Sequence, residues 1–130
     1  MRRAGALVGE GAMLYEEIEA VSREAAEQAA SSATPDDLSK VILAVALHES
    51  DRDWAEQFCL RLAGHTAPRV RAAALLGFGH LARRFRYLDR FRIEPLLQAG
   101  LADPNAWVRG QAETAMDDIV HFLGWQLRRL

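Results

Sequence analysis

The chain has one cysteine, Cys59, so no disulfide can form within it. A lone thiol in an apolar stretch fits a reducing compartment, and the cytoplasm is the expected location. No apolar run approaches about 18 residues, the length a membrane-spanning helix needs. The opening MRRAGALVGEGAML begins with an arginine pair, but Glu10 and the glycines around it interrupt any signal-peptide core. Residues 1–12 are expected to form a flexible tail, with Met13 as an alternative start, ahead of a single domain over 13–130. Nothing alternates with a period of two residues, so no strand is expected. A glycine-rich phosphate loop and a serine–histidine nucleophile signature are both missing; 77-GFG-79 falls inside a helical pattern and reads as close helix packing. At 130 residues and 14.5 kDa the chain makes one domain that buries roughly two-thirds of its unfolded surface without disulfides.

What is present is helical periodicity, punctuated by start signals. In 101-LADPNAWVRGQAETAMDDIV-120, Asp103-Pro104 reads as an N-cap followed by proline at the first helical position. Val108, Ala112, Ala115, Ile119 and Leu123 then recur every three or four residues and mark a buried stripe. Thr34-Pro35 repeats the cap-then-proline device, with Asp36 and Asp37 near the positive end of the helix dipole. Six helices are expected: about 14–30, 35–48, 51–63 with Gly64 as a left-handed stop, 67–84, 91–101, and one opened by Asp103. Sliding the chain by 38 residues lays Val70 on Val108, Arg71 on Arg109, Ala74 on Ala112 and Leu81 on Ile119. Self-similarity at a period between about 20 and 50 residues signals stacked repeats. An apolar helix precedes each copy, so the repeating unit is a helical hairpin.

Net charge is −2, but it is unevenly spread. Residues 1–56 carry twelve Asp or Glu against five Lys or Arg, whereas residues 57–130 carry six against eleven. Such a chain steers a basic partner to one end and discourages nucleic acid there.

The run P-x-V-R-x-x-A at 68–74 and D-P-x-x-x-V-R-x-x-A at 103–112 resemble the second-helix signature of HEAT repeats. The resemblance covers about 50–124, with the first hairpin as a degenerate cap. It implies an all-α fold, a right-handed α-α superhelix of about three HEAT-like hairpins whose second helices line a concave, macromolecule-binding face. It also implies inter-repeat hydrogen bonds through Asp103, Arg71 and Arg109, while His65 stands where the first copy would need aspartate. More narrowly, 54-WAEQFCLRLAGH-65, 79-GHLAR-83 and 113-ETAMDDIVHFLG-124 look like small stand-alone bacterial HEAT proteins associated with polymorphic toxins. That resemblance implies an immunity role: binding a toxin domain and occluding it.

His48-Glu49 is similar to the His-Glu pairs of HEAT-like di-iron hydroxylases, but the remaining histidines lack the carboxylate neighbours such a site requires. Asp117, Asp118 and His121 share a helix, yet two carboxylates and one imidazole need a further ligand from elsewhere. No metal and no cofactor is therefore expected, and a lyase or hydroxylase subunit ranks third among the readings. Second is a nucleic-acid binder using 83-RRFRYLDRFR-92, whose five arginines are interleaved with Phe85, Tyr87 and Phe91. Against it, Phe85, Leu88 and Phe91 are what a connection between repeats needs to cover its core. The leading expectation is a non-catalytic protein-binding module acting on a basic, nuclease-type toxin domain. Glu49, Asp51, Asp53, Glu113, Asp117 and Asp118 would supply complementarity, and Trp54 or Trp107 buried apolar area. Trp107 precedes the core Val108 by one position and so should point partly outward.

Overall fold

The computed structural model describes residues 18–128; the expected tail over 1–12 lies outside them. Among the described residues there are six α-helices and no strand: α1 (Arg23–Ser32), α2 (Pro35–His48), α3 (Arg52–Leu62), α4 (Pro68–Phe85), α5 (Arg90–Leu101) and α6 (Ala106–Leu123). Helices α2, α4 and α6 pack side by side, with α4 in the middle. Helix α1 rests on α2, α3 on α4, and α5 on α6. The molecule is thus three consecutive helix pairs whose second members form a shared layer.

Short polar side chains start most of these helices. Ser22 accepts from the Ala25 amide at 3.0 Å, Thr34 from Asp37 at 3.2 Å, and Asp51 from Trp54 at 3.1 Å. Each satisfies one of the amides a first turn leaves without a partner. Three expected boundaries move. Helix α1 begins at Arg23, so residues 18–22 of the expected helix are not helical, and its expected first residues from Leu14 lie outside the described ones. Helix α6 begins at Ala106, where Asn105 accepts from the Trp107 and Val108 amides. Asp103 is therefore not its cap. Gly64 is not a left-handed stop either: among the described residues positive φ occurs only at Arg86 and Gly124, which end α4 and α6.

The apolar stripe is placed as the repeat requires. Val70, Ala74, Leu81, Val108, Ala112 and Ile119 are all fully buried, and together with Phe58, Phe78 and Ile93 they belong to one continuous core. The helices approach closely where glycine permits it. A Cβ on Gly77 would sit 2.8 Å from Cys59 Sγ, and one on Gly79 would sit 3.0 Å from Asp118 Oδ2, distances that real Cβ contacts do not tolerate without movement. Burial, with Glu56 nearby, pushes the Cys59 thiol up to about 12, so it is inert packing.

The 38-residue repeat extends to individual hydrogen bonds. Arg71 Nη1 donates to the carbonyls of His65 and Thr66 at 3.0 and 2.9 Å. Arg109 Nη1 does the same to Asp103 and Pro104 at 2.7 and 3.2 Å. His65 Nδ1 accepts from the Ala67 amide at 2.9 Å, and Asp103 Oδ1 accepts from Asn105 at 2.9 Å. One feature is not shared. The Asp103 carboxylate also receives Arg71 in a two-point pair, Nε to Oδ2 at 2.7 Å and Nη2 to Oδ1 at 2.9 Å, linking the turns before α4 and α6. This parallel geometry is the strong form of the arginine–carboxylate contact.

Candidate functional site

The residues expected to bind a partner fall into three places. At the α2–α3 turn, Glu49, Asp51 and Trp54 come together around Arg23. The guanidinium of Arg23 donates to Glu49 Oε2 at 3.0 Å and Asp51 Oδ2 at 3.1 Å, and lies 5.1 Å from the centre of the Trp54 ring. Trp54 in turn stacks on Phe58 at 5.3 Å. The Arg23 hydrogen bond, helped by the Asp51 amide, holds the Glu49 carboxyl below the usual carboxylate range. The Trp54 amide, followed by Arg23, does so for Asp51. Both acids are thus largely committed to the fold. Asp53 is exposed, 3.9 Å from Arg52.

Helix α6 divides its three acids between two sides. Glu113 and Asp117 are exposed and border a shallow depression with Leu101, Arg109, Gly110 and Thr114. Asp118 is half-buried against Gly79 of α4. Burial, reinforced by Asp117, raises its carboxyl above the usual range despite the opposing pull of Arg83 and His121. Nearby, burial together with Arg83 and Arg84 lowers the His80 imidazole to about 4, so it is neutral at physiological pH. Among the described residues no group of three or more His, Cys, Asp or Glu converges as metal ligands. His48 instead donates to the Ile18 carbonyl at 2.7 Å, tying the start of the described chain to the end of α2.

Trp107 occupies the third place, apart from both acidic groups. It is 59% exposed on the first turn of α6, as its position before Val108 suggested. It borders two adjoining depressions on the α2–α4–α6 layer. The first, ≈ 920 Å³, lies at the N-terminal ends of those helices, among Thr34, Pro35, Ala67, Pro68 and Asn105. The second, ≈ 440 Å³, runs onward over Leu43, Ala72, Ala73 and Leu76, with Lys40 and Gln111 beside it. Arg69 and Trp107 are common to both.

The arginines of 83–92 make contacts within the protein, although only Arg84 among them is not exposed. Arg84 donates to the Ala46 and Glu49 carbonyls, both at 2.9 Å, which satisfies the C-terminal end of α2. Arg86 lies over Phe122 and Arg90 over Trp125, each 5.1 Å from the ring centre. Arg90 also reaches Glu94 at 2.7 Å and the Gln126 carbonyl at 2.8 Å. Arg92 is 3.8 Å from Asp89, and Arg83 lies 3.4 Å from His80 Nδ1. Phe85 packs on the core and Leu88 is buried, but Phe91 is 88% exposed and covers nothing. The expectation that Phe91 shields the core is thereby corrected. Beyond the left-handed residue Arg86 that ends α4, Leu88 is buried, and in the first turn of α5 it is Ile93 rather than Phe91 that enters the core.

No protein-family model matches the chain, and no curated protein matches it. Among solved structures it is similar to a chain of the crystal structure of a CDI complex from Cupriavidus taiwanensis LMG 19424. The two are 27% identical, with a TM-score of 0.70, over 82% of this chain and 94% of that one. The likeness therefore takes in almost the whole of the other chain.

Two groups central to this geometry carried no signal in the sequence. Arg23 stands 26 residues from Glu49, so only tertiary structure brings it there. Buried Glu56 pairs with Arg52 at 3.0 Å and accepts from the Asp89 amide at 2.7 Å, joining α3 to the start of α5. It lies one turn beyond Arg52 on an apparently ordinary charged helix face.

Proposed function

We propose that this chain is a non-catalytic, immunity-type protein that binds a toxin domain and occludes it. The observation that carries the reading is its likeness, over nearly the whole length of that chain, to a component of a CDI complex, an assembly of chains. The helix pairs are read as HEAT-like hairpins in a right-handed superhelix. The duplicated Arg71 and Arg109 bonds support that assignment, as does the Arg71–Asp103 link between successive pairs. The partner is proposed to be basic and of nuclease type. Asp53, Glu113 and Asp117 remain exposed to steer it, whereas Glu49 and Asp51 are held by Arg23. Arg84, held by two backbone carbonyls, and Arg90, paired with Glu94, argue against the nucleic-acid reading, because these two would have to be released before neutralising a phosphate. The test is co-expression with the toxin domain encoded by the adjacent gene. Growth restored by this chain, together with a stable complex of the two purified proteins, is the expected result. Continued toxicity with no complex would sink the proposal.

A further inference from the structure

The shared layer of α2, α4 and α6 carries a groove that the described residues leave open, and its chemistry differs from that of the acidic positions. Its floor is aliphatic: Ala72 and Ala73 are small enough to let another element approach α4 closely, with Leu43 and Leu76 beside them. Ile18 borders it as well. At the other end stands Trp107, more than half exposed, on the boundary between the two depressions. From Ala67 to Leu76 the groove follows α4 for on the order of 13 Å, at ~1.5 Å per residue. That length matches about four residues of extended chain at ~3.3 Å each.

The charges along it are Asp36, Arg69 and Lys40, which leave one cation unmatched among the described residues. Arg69 is paired with Asp36 at 2.8 Å. Lys40 is exposed, borders the groove, and has no carboxylate partner among the described residues. Gln111 adds a neutral donor and acceptor on the opposite helix. An occupant complementary to this lining is therefore apolar along most of its length and carries one carboxylate. The groove lacks the several converging buried polar groups that orient a small ligand; an aliphatic floor with an aromatic at one end suits a peptide segment.

We propose that this groove is where the toxin partner docks, receiving an apolar segment whose carboxylate pairs with Lys40 while Trp107 packs against its apolar side chains. The proposal rests on the immunity-type reading and locates its principal contact. Exposed acids elsewhere govern encounter with a basic domain; the groove holds one segment of it. Aromatic anchors of this kind dominate binding energy when a partner desolvates them.

The test is calorimetric titration of the purified adjacent-gene toxin domain into the full-length chain and its Trp107→Ala, Lys40→Glu, Lys40→Arg and Phe91→Ala variants, each checked by thermal melting. Trp107→Ala and Lys40→Glu should each weaken binding by roughly tenfold or more, Lys40→Arg should retain most affinity, and Phe91→Ala should match the wild type. A wild-type complex unaffected by Trp107→Ala and Lys40→Glu would overturn the groove while leaving the immunity reading intact. Loss with Trp107→Ala but none with Lys40→Glu would remove the carboxylate. Failure of the wild type to bind would remove both the groove and the functional reading. A Trp107-dependent dimer of the chain alone, with toxin affinity unchanged by Trp107→Ala, would overturn the proposal in favour of a second copy. A melt lowered alike by Trp107→Ala and by deletion of residues 1–17, again with toxin affinity unchanged, would overturn it in favour of the chain's own N-terminal residues.

Discussion

The turn entering α4 and the turn entering α6 are built on the same plan, and one of the side chains in which they differ decides how the units connect. In each, an arginine binds the carbonyls five and six residues before it, and the side chain at the sixth accepts an amide two residues further on. In the first turn that side chain is His65. In the second it is Asp103, whose carboxylate also draws Arg71 across from the first turn. An imidazole reproduces the local bond but not the ionic one. Nor would aspartate at 65 find the same partner: aligning Pro35 with Pro68 puts Leu38, a buried leucine, where α4 has Arg71. Periodicity thus specifies the interior of each unit, while the connection between units depends on which charges are available on the neighbour.

The comparison is broken most severely in the core that both units share. Leu81→Ala and Ile119→Ala remove corresponding, fully buried side chains, and each should destabilise by about 2–5 kcal/mol, read as a lower urea midpoint. If one costs nothing, the two helices are not equivalent. The next effect is at the link itself. Asp103→Asn should cost about 1.5–3 kcal/mol, the range for hydrogen bonds to charged groups, by chemical denaturation at neutral pH. The hydrogen bond from Arg71, aided by the Asn105 amide, lowers the Asp103 carboxyl from its unfolded value. Its contribution is therefore complete above the ordinary aspartate range and is lost as pH falls through the folded-state value. The variant should lose less stability than the wild type on acidification, and curves that run parallel down to strongly acidic pH would contradict the pairing.

His65→Ala sharpens the contrast, because it removes the local bond where there is no ionic link. A cost of about 0.5–2 kcal/mol is expected, as for the loss of a helix-start acceptor, and it should be smaller than that of Asp103→Asn in the same denaturant series. The smallest effect is expected at Asp118, where burial raises the carboxyl above its unfolded value. Such a group favours the fold below its unfolded value and ceases to as pH rises through the folded one. Asp118→Asn should therefore leave the melting temperature unchanged or slightly raised at neutral pH, with no gain under acid conditions. A clear drop at neutral pH would mean that the charged form makes a contact worth more than its burial costs.

Most of the helical architecture was legible because it rests on local causes. A proline after a polar cap, a stripe at intervals of three and four, and a Val-Arg pair recurring 38 residues later each constrain the chain over a few turns. The errors are local as well. Asp103-Pro104 has the composition of a cap and first turn, but Asn105 also caps well, and Asp103 is engaged by Arg71 while Asn105 caps the helix. Phe91 resembled a core residue by its spacing from Leu88, but in the first turn of α5 it is Ile93 that enters the core.

The candidate site was far less legible. An acidic residue's identity says that it carries charge, but not whether that charge is already matched. Arg23 reaches Glu49 and Asp51 from 26 and 28 residues away, and nothing near either acid announces it. The groove is invisible for a related reason: Lys40, Leu76 and Trp107 lie on three helices, and no spacing in one helix records that they meet.

By itself the sequence determined the number of helices among the described residues, the side of each that is buried, the equivalence of the two later hairpins and the outward position of Trp107. These follow from bonding and burial within a few turns of one segment, where residue order and distance in space are nearly the same. Tertiary structure alone decided that Arg71 spends its charge on Asp103, that Arg23 holds the α2–α3 turn, that Glu56 secures the start of α5, and that an open apolar groove remains beside Lys40. Electrostatic pairing and surface shape depend on which side chains converge from distant positions, and that convergence exists only once the helices have packed.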